Sequence, residues 1–237
     1  MTEEIGSPLV AAADAEATDP YCLRPGEAAA LLAGHPWRRF AALGDSVAEG
    51  VGEPVPGYRR LGWVGRVAEA LAVHRADLAY LNLGARDLRA AQVRERQLAA
   101  ALAFAPDLAL IACGANDALR PRYDPDRVRR EVTAMVRALQ EHGAEVLTVS
   151  LFVLSSYPHS RHGLRPPLAG RLRRLAGDTR ALAAELGTIH IALDGHPAET
   201  DPSLYSGDGI HGNDRSHAIA AAEAVRRLGA HLGNRWP

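Results

Sequence analysis

Of three residues that together can cleave an ester, one lies far from the other two in this chain. Ser46 closes the triplet Gly44-Asp45-Ser46, directly behind the apolar run 40–43. Asp208 and His211 stand three residues apart in "SGDGIHGND", just ahead of the last helical pattern. A serine hydroxyl is inert alone; it becomes a nucleophile when a base is within hydrogen-bond reach and a third group orients that base. A neutral imidazole titrates near working pH, which suits His211 to the base role. A carboxylate one turn earlier, Asp208, stabilises the imidazolium as it forms.

The oxyanion of an acyl transfer also needs donors. The candidates are the Ser46 N–H at a helix start, the Gly84 N–H, and the side-chain amide of Asn116 in Gly114-Ala115-Asn116-Asp117. Losing one such donor costs ~3–4 kcal/mol of transition-state stabilisation.

The surrounding pattern says how these residues meet. Short apolar runs alternate with longer amphipathic ones. "RFAALG", "LAYLNLG", "DLALIACG", "AEVLTVSLFV" and "TIHIAL" read as five strands. Helical segments follow them; in "GYRRLGWVGRVAEALAVHR", Leu61, Val64, Val67, Ala68 and Leu71 share one face. "DPDRVRREVTAMVRALQEHG" opens on Asp-Pro and closes on Gly, as a helix should. Apolar strands each followed by a helix imply a parallel sheet covered on both faces, an α/β/α three-layer sandwich. In such sheets ligands bind beyond the carboxyl ends of the strands. The first three strands lead into Gly44-Asp45-Ser46, Gly84-Ala85-Arg86 and Gly114-Ala115-Asn116-Asp117, so the three loops are expected side by side. Residues 1–35 read as an N-terminal arm with a short helix candidate at 25–34, and 36–237 as one domain. The longest irregular stretch is 155–167, and long loops in compact domains often serve function.

The blocks Gly44-Asp45-Ser46, Gly84, Gly114-Ala115-Asn116-Asp117 and Asp208-Gly209-Ile210-His211 resemble, in order and spacing, the four blocks of the SGNH (GDSL) hydrolase family. The resemblance spans roughly residues 37–232. It implies a flavodoxin-like sandwich with no metal or cofactor. It also implies Ser46 as nucleophile, His211 as base, Asp208 as its partner, and Ser46, Gly84 and Asn116 at the oxyanion. Val47 stands where the GDSL name expects leucine. The expected activity is hydrolysis of carboxylic esters through an acyl-serine, on short acyl groups of a small molecule or sugar. An acyltransferase on the same acyl-serine, and a binding module without turnover, are the alternatives.

Each residue also has a structural reading. Ser46 suits a helix N-cap, and Asn116 a turn. Among other histidines, His217 and His190 read as structural, and His159 and His162 as solvated loop residues. Asp45 and Asp117 read as turn-fixing groups. Arg171, Arg173 and Arg174 read as a solvated helix face. Tyr58, Phe152 and Tyr157 are expected in the wall of a small acyl pocket.

Composition removes other classes. All 27 basic residues are arginine, which excludes Schiff-base chemistry and a P-loop lysine. The net charge of −1 gives no broad field for nucleic acid or anionic membrane. Cys22 and Cys113 make no disulfide framework. No apolar run approaches a membrane span, and residues 1–20 lack a secretory pattern, so a soluble cytoplasmic protein is expected.

Overall fold

The computed structural model describes residues 15–153 and 166–236. Five parallel strands form one sheet: β1 (Arg39–Gly44), β2 (Ala79–Asn82), β3 (Leu108–Ala112), β4 (Glu145–Ser150) and β5 (Ile189–Ala192). Their order is β2-β1-β3-β4-β5. The chain moves outward from β1 to β2, then crosses back to place β3 on the other side of β1. The switch in order therefore lies between β1 and β3, where an open parallel sheet leaves a crevice.

The helices are α1 (Glu27–Leu31), α2 (Ser46–Glu49), α3 (Trp63–Ala72), α4 (Ala90–Phe104), α5 (Ala115–Ala118), α6 (Pro125–Glu141), α7 (Pro166–Leu186) and α8 (Asp214–His231). Alternating strand residues feed two cores. Phe40, Ala42, Leu108 and Leu110 pack against Trp63, Val67, Leu71 and Val225 of α3 and α8. Leu43, Ala109 and Ile111 pack against Val93, Met135 and Val136 of α4 and α6. This is the expected α/β/α sandwich. Edge strand β2 alternates in burial rather than reading as a continuous apolar core strand, because one side of it has no neighbour.

Helix α3 starts at Trp63, six residues later than the apolar period suggests. Gly62 is used otherwise: its Cα passes within 2.8 Å of the position a Gly50 Cβ would take, so the two loops cross on glycine. The described part of the 1–35 segment packs on the sandwich. Glu16 pairs with buried Arg66, Asp19 with Arg215, and Glu27 with Arg226, while Cys22, Leu31 and Leu32 are buried. Both cysteines are free.

Candidate active site

The nucleophile loop is built by backbone contacts that only particular residues allow. A Cβ on Gly44 would lie 2.1 Å from Ala112 O, so glycine lets β1 end tight against β3. Gln97 of α4 then clamps Gly44 from both sides: its Oε1 accepts the Gly44 N–H at 2.8 Å and its Nε2 donates to Gly44 O at 2.9 Å. Asp45 caps α2, with Oδ1 accepting the Val47 N–H at 3.0 Å. Trp63 Nε1 donates to Val47 O at 2.8 Å and Asn82 Nδ2 to Ala48 O at 2.8 Å. Ser46 thus begins a short helix held at four points, and its hydroxyl is left for another partner.

That partner is His211. Ser46 Oγ lies 2.9 Å from His211 Nε2, and His211 Nδ1 lies 2.6 Å from Asp208 Oδ2. The second carboxylate oxygen, Oδ1, accepts the backbone N–H groups of Ile210 and His211, both at 2.9 Å. Partial burial works to raise the Asp208 carboxyl. The hydrogen bonds from His211 and from these N–H groups outweigh it and hold the group below its ordinary value. Asp208 therefore stays ionised, and Nδ1–H donating to it leaves Nε2 as the acceptor for the serine proton.

The loop carrying this pair is braced from across the chain. Ser206 Oγ donates to Gly212 O and accepts the Glu53 N–H. Glu53 Oε2 accepts the Gly207 N–H, and Glu53 O accepts the Asp214 N–H. Asn213 caps α8 through the Arg215 and Ser216 N–H groups. Neither Glu53 nor Gln97 stands out as a site residue in the sequence. Gln97 leaves one trace: it interrupts the buried Val93–Ala101 stripe of α4 with a polar group.

The candidate oxyanion donors fare differently. The Ser46 N–H opens α2 and has no partner among the described residues. Asn116 Nδ2 spends one hydrogen on Leu88 O at 3.1 Å and keeps the other. The Gly84 N–H donates to Asn82 Oδ1 at 2.9 Å, so it is already engaged. Glycine at 84 serves close approach: a Cβ there would meet Glu49 N at 2.3 Å and the Ala48 carbonyl carbon at 2.6 Å. Gly84→Ala is accordingly expected to destabilise the protein by about 2–3 kcal/mol, since backbone cannot yield as a side chain would; urea denaturation beside the wild type checks it. Further along this loop Asp87 takes φ 67, a left-handed conformation unusual outside glycine. Its N–H has no partner among the described residues, and the carbonyl of the next residue, Leu88, is the one Asn116 holds.

A cavity of about 130 Å³ opens at Ser46 and His211. Its walls are largely apolar, with Trp63, Val149, Leu172, Leu175 and Leu193 among them. Phe152 lines it as expected. Tyr58 does not, because its hydroxyl donates to Asp19 and its ring packs beside the N-terminal segment. Tyr157, His159 and His162 lie outside the described residues. His217 belongs to the wall: burial holds its imidazole down to about 4, and Nε2 meets Val51 O at 3.3 Å. His190 is satisfied by Thr148 and Ser150. Asp117 fixes a turn, accepting the Ala90 N–H at 2.9 Å. Arg174 pairs with Asp178 one turn on.

The profile of the GDSL-like Lipase/Acylhydrolase family matches residues 42–219. The chain belongs to that family. Family membership makes it an esterase, an ester hydrolase whose substrate is a small-molecule or sugar ester. Solved structures of the same fold include a catalytic mutant of an acetylxylan esterase from Geobacillus stearothermophilus. It is 17% identical, with a TM-score of 0.66 over 81% of this chain and 94% of that one. A lipase/acylhydrolase from Enterococcus faecalis is 21% identical, with a TM-score of 0.64 over 84% of this chain and all of that one. A search of curated proteins finds no match to this sequence. Among the described residues, no group of three or more His, Cys, Asp or Glu is placed to hold a metal ion, and no helix is long and apolar enough to cross a membrane.

Proposed function

We propose that this GDSL-family esterase cleaves short-chain acyl esters through an acyl-Ser46 intermediate. The observation that carries the reading is the continuous hydrogen-bond chain from Asp208 through His211 to Ser46. Ser46 Oγ attacks the acyl carbon while its proton passes to His211 Nε2. The carbonyl electron pair moves onto oxygen, where the Ser46 N–H and the second Asn116 Nδ2 hydrogen receive it. The third donor comes from the loop after β2. The Asp87 N–H suits this better than the Gly84 N–H, which Asn82 already holds. Collapse of the tetrahedral species expels the alcohol, which takes the proton from Nε2. Water, deprotonated by the same nitrogen, then releases the acid and restores Ser46. Asp208 remains a carboxylate throughout and stabilises the imidazolium.

The cavity supports the short acyl preference. Its space of about 130 Å³ is bounded by Trp63, Phe152, Leu172, Leu175 and Leu193, apolar side chains that would close around the acyl chain. Initial rates on p-nitrophenyl esters from acetyl to octanoyl test this. The expected kcat/KM is highest at or below hexanoyl and falls at octanoyl; a steady rise to octanoyl contradicts the assigned pocket. Asn116→Ala is expected to lower kcat by about 100-fold or more with little change in KM, because its amide meets charge present only in the transition state.

A further inference from the structure

The two loops that flank the oxyanion position also build a second cavity on their outer side. α5 is the partition between them. Asn116 and Leu119 face the Ser46 cavity, while Asp117 and Arg120 face a cleft of about 520 Å³. Arg89, Arg122 and Arg127 complete its charged lining together with Asp124. None of these four guanidinium groups makes a close ion pair among the described residues; Arg89 donates to the side chain of Gln92, and the charges of Arg89 and Arg127 act on Asp117 from a distance.

The two acids in the cleft offset only half of its positive charge. Asp117 accepts the Ala90 N–H, and Asp124 caps α6 by accepting the Arg127 N–H. Four cations therefore face two carboxylates, a local excess of two positive charges in a chain whose net charge is −1. The first turns of α4 and α6, helices of 15 and 17 residues, both border the cleft and add their positive dipole ends. Arg171 of α7 steadies the rim by donating to Arg120 O.

We propose that this arginine cleft is a recognition site for a phosphate-type dianion. Guanidinium forks match phosphate oxygens two at a time, and four forks with two helix starts suit a compact dianion better than a lone carboxylate. The cleft lies one residue behind Asn116, so a phosphate on the alcohol part of the ester and free phosphate are its two sources. Only the link to turnover rests on the esterase reading above; binding does not.

The test is isothermal titration of inorganic phosphate at low ionic strength into Ser46→Ala. The same titration is made with Arg120→Gln/Arg127→Gln added, with Arg122→Glu added, and with Arg173→Gln added as an exposed control on α7. The expected result is saturable binding, weakened about tenfold or more by either cleft change and unaffected by Arg173→Gln. Absence of saturable binding, or equal binding in all variants, overturns the proposal. Rates on phenyl acetate and 4-acetoxyphenyl phosphate with wild-type Ser46 separate the sources. A preference of about tenfold for the phosphorylated ester, lost in Arg120→Gln/Arg127→Gln, assigns the dianion to the substrate. Equal rates with phosphate binding retained assign it to free phosphate. Phosphate binding without hydrolysis of either ester supports the cleft and counts against the esterase mechanism alone.

Discussion

Ser46→Ala is expected to lower kcat on p-nitrophenyl acetate by about 10,000-fold or more while leaving the fold intact. Both halves follow from what Ser46 touches. Among the described residues its hydroxyl has one hydrogen-bond partner, His211 Nε2, while the helix it begins is capped by Asp45 and held by Trp63 and Asn82. Removing Oγ therefore removes the nucleophile and no brace. His211→Ala is expected to cost a similar factor, and Ser46→Ala/His211→Ala no more than the worse of the two. Groups that act as a unit are lost together, and what remains comes from binding and the oxyanion donors. Additive losses in the double variant would show that His211 acts apart from Ser46. Thermal melting of each variant separates chemistry from unfolding.

Asp45→Asn is expected to change how stability depends on pH. Asp45 is fully buried, and Oδ2 has no hydrogen-bond partner among the described residues. Burial first, and the nearby Asp117 carboxylate second, push its carboxyl up to about 7 from an ordinary 3.8, against the pull of the Val47 N–H. The folded protein thus keeps a proton that the unfolded chain loses above about pH 4. The contribution is fully present below that pH and lost as pH rises through 7. The shift corresponds to a loss of at most about 4 kcal/mol. Asparagine keeps an oxygen for the Val47 N–H but places an unpartnered amide where Oδ2 lies, at ~1–3 kcal/mol. Urea denaturation should therefore find Asp45→Asn less stable than wild type at pH 5, with the gap closing or reversing at pH 8. Parallel profiles would place the carboxyl's titration elsewhere.

The sandwich was legible because apolar strands and capped helices alternate regularly enough to name all five strands. Gly44 at the end of β1, Gly114 beyond β3, and the Asp208–His211 spacing pointed to the candidate site. Other features needed the assembled chain. Gln97 and Glu53 act on backbone 53 and 154 residues away, and no local pattern announces a side chain whose partners are remote. Gly84 reads as a donor because it follows a strand. Its N–H is taken by Asn82, two residues back, and its missing side chain admits the Ala48–Glu49 backbone. Tyr58 reads as pocket wall because it follows Ser46 closely, yet the N-terminal segment captures it through Asp19. The cavity takes much of its wall from α7, through Leu172 and Leu175, more than 120 residues beyond Ser46.

The measurement that bears most directly on the account is mass spectrometry of the protein after reaction with an alkyl fluorophosphonate, which traps an activated serine. The account predicts one covalent adduct, mapped to the peptide containing Ser46, formed in step with loss of esterase activity and absent in Ser46→Ala. Full activity in labelled protein, or inactivation with the adduct on another residue, would contradict it.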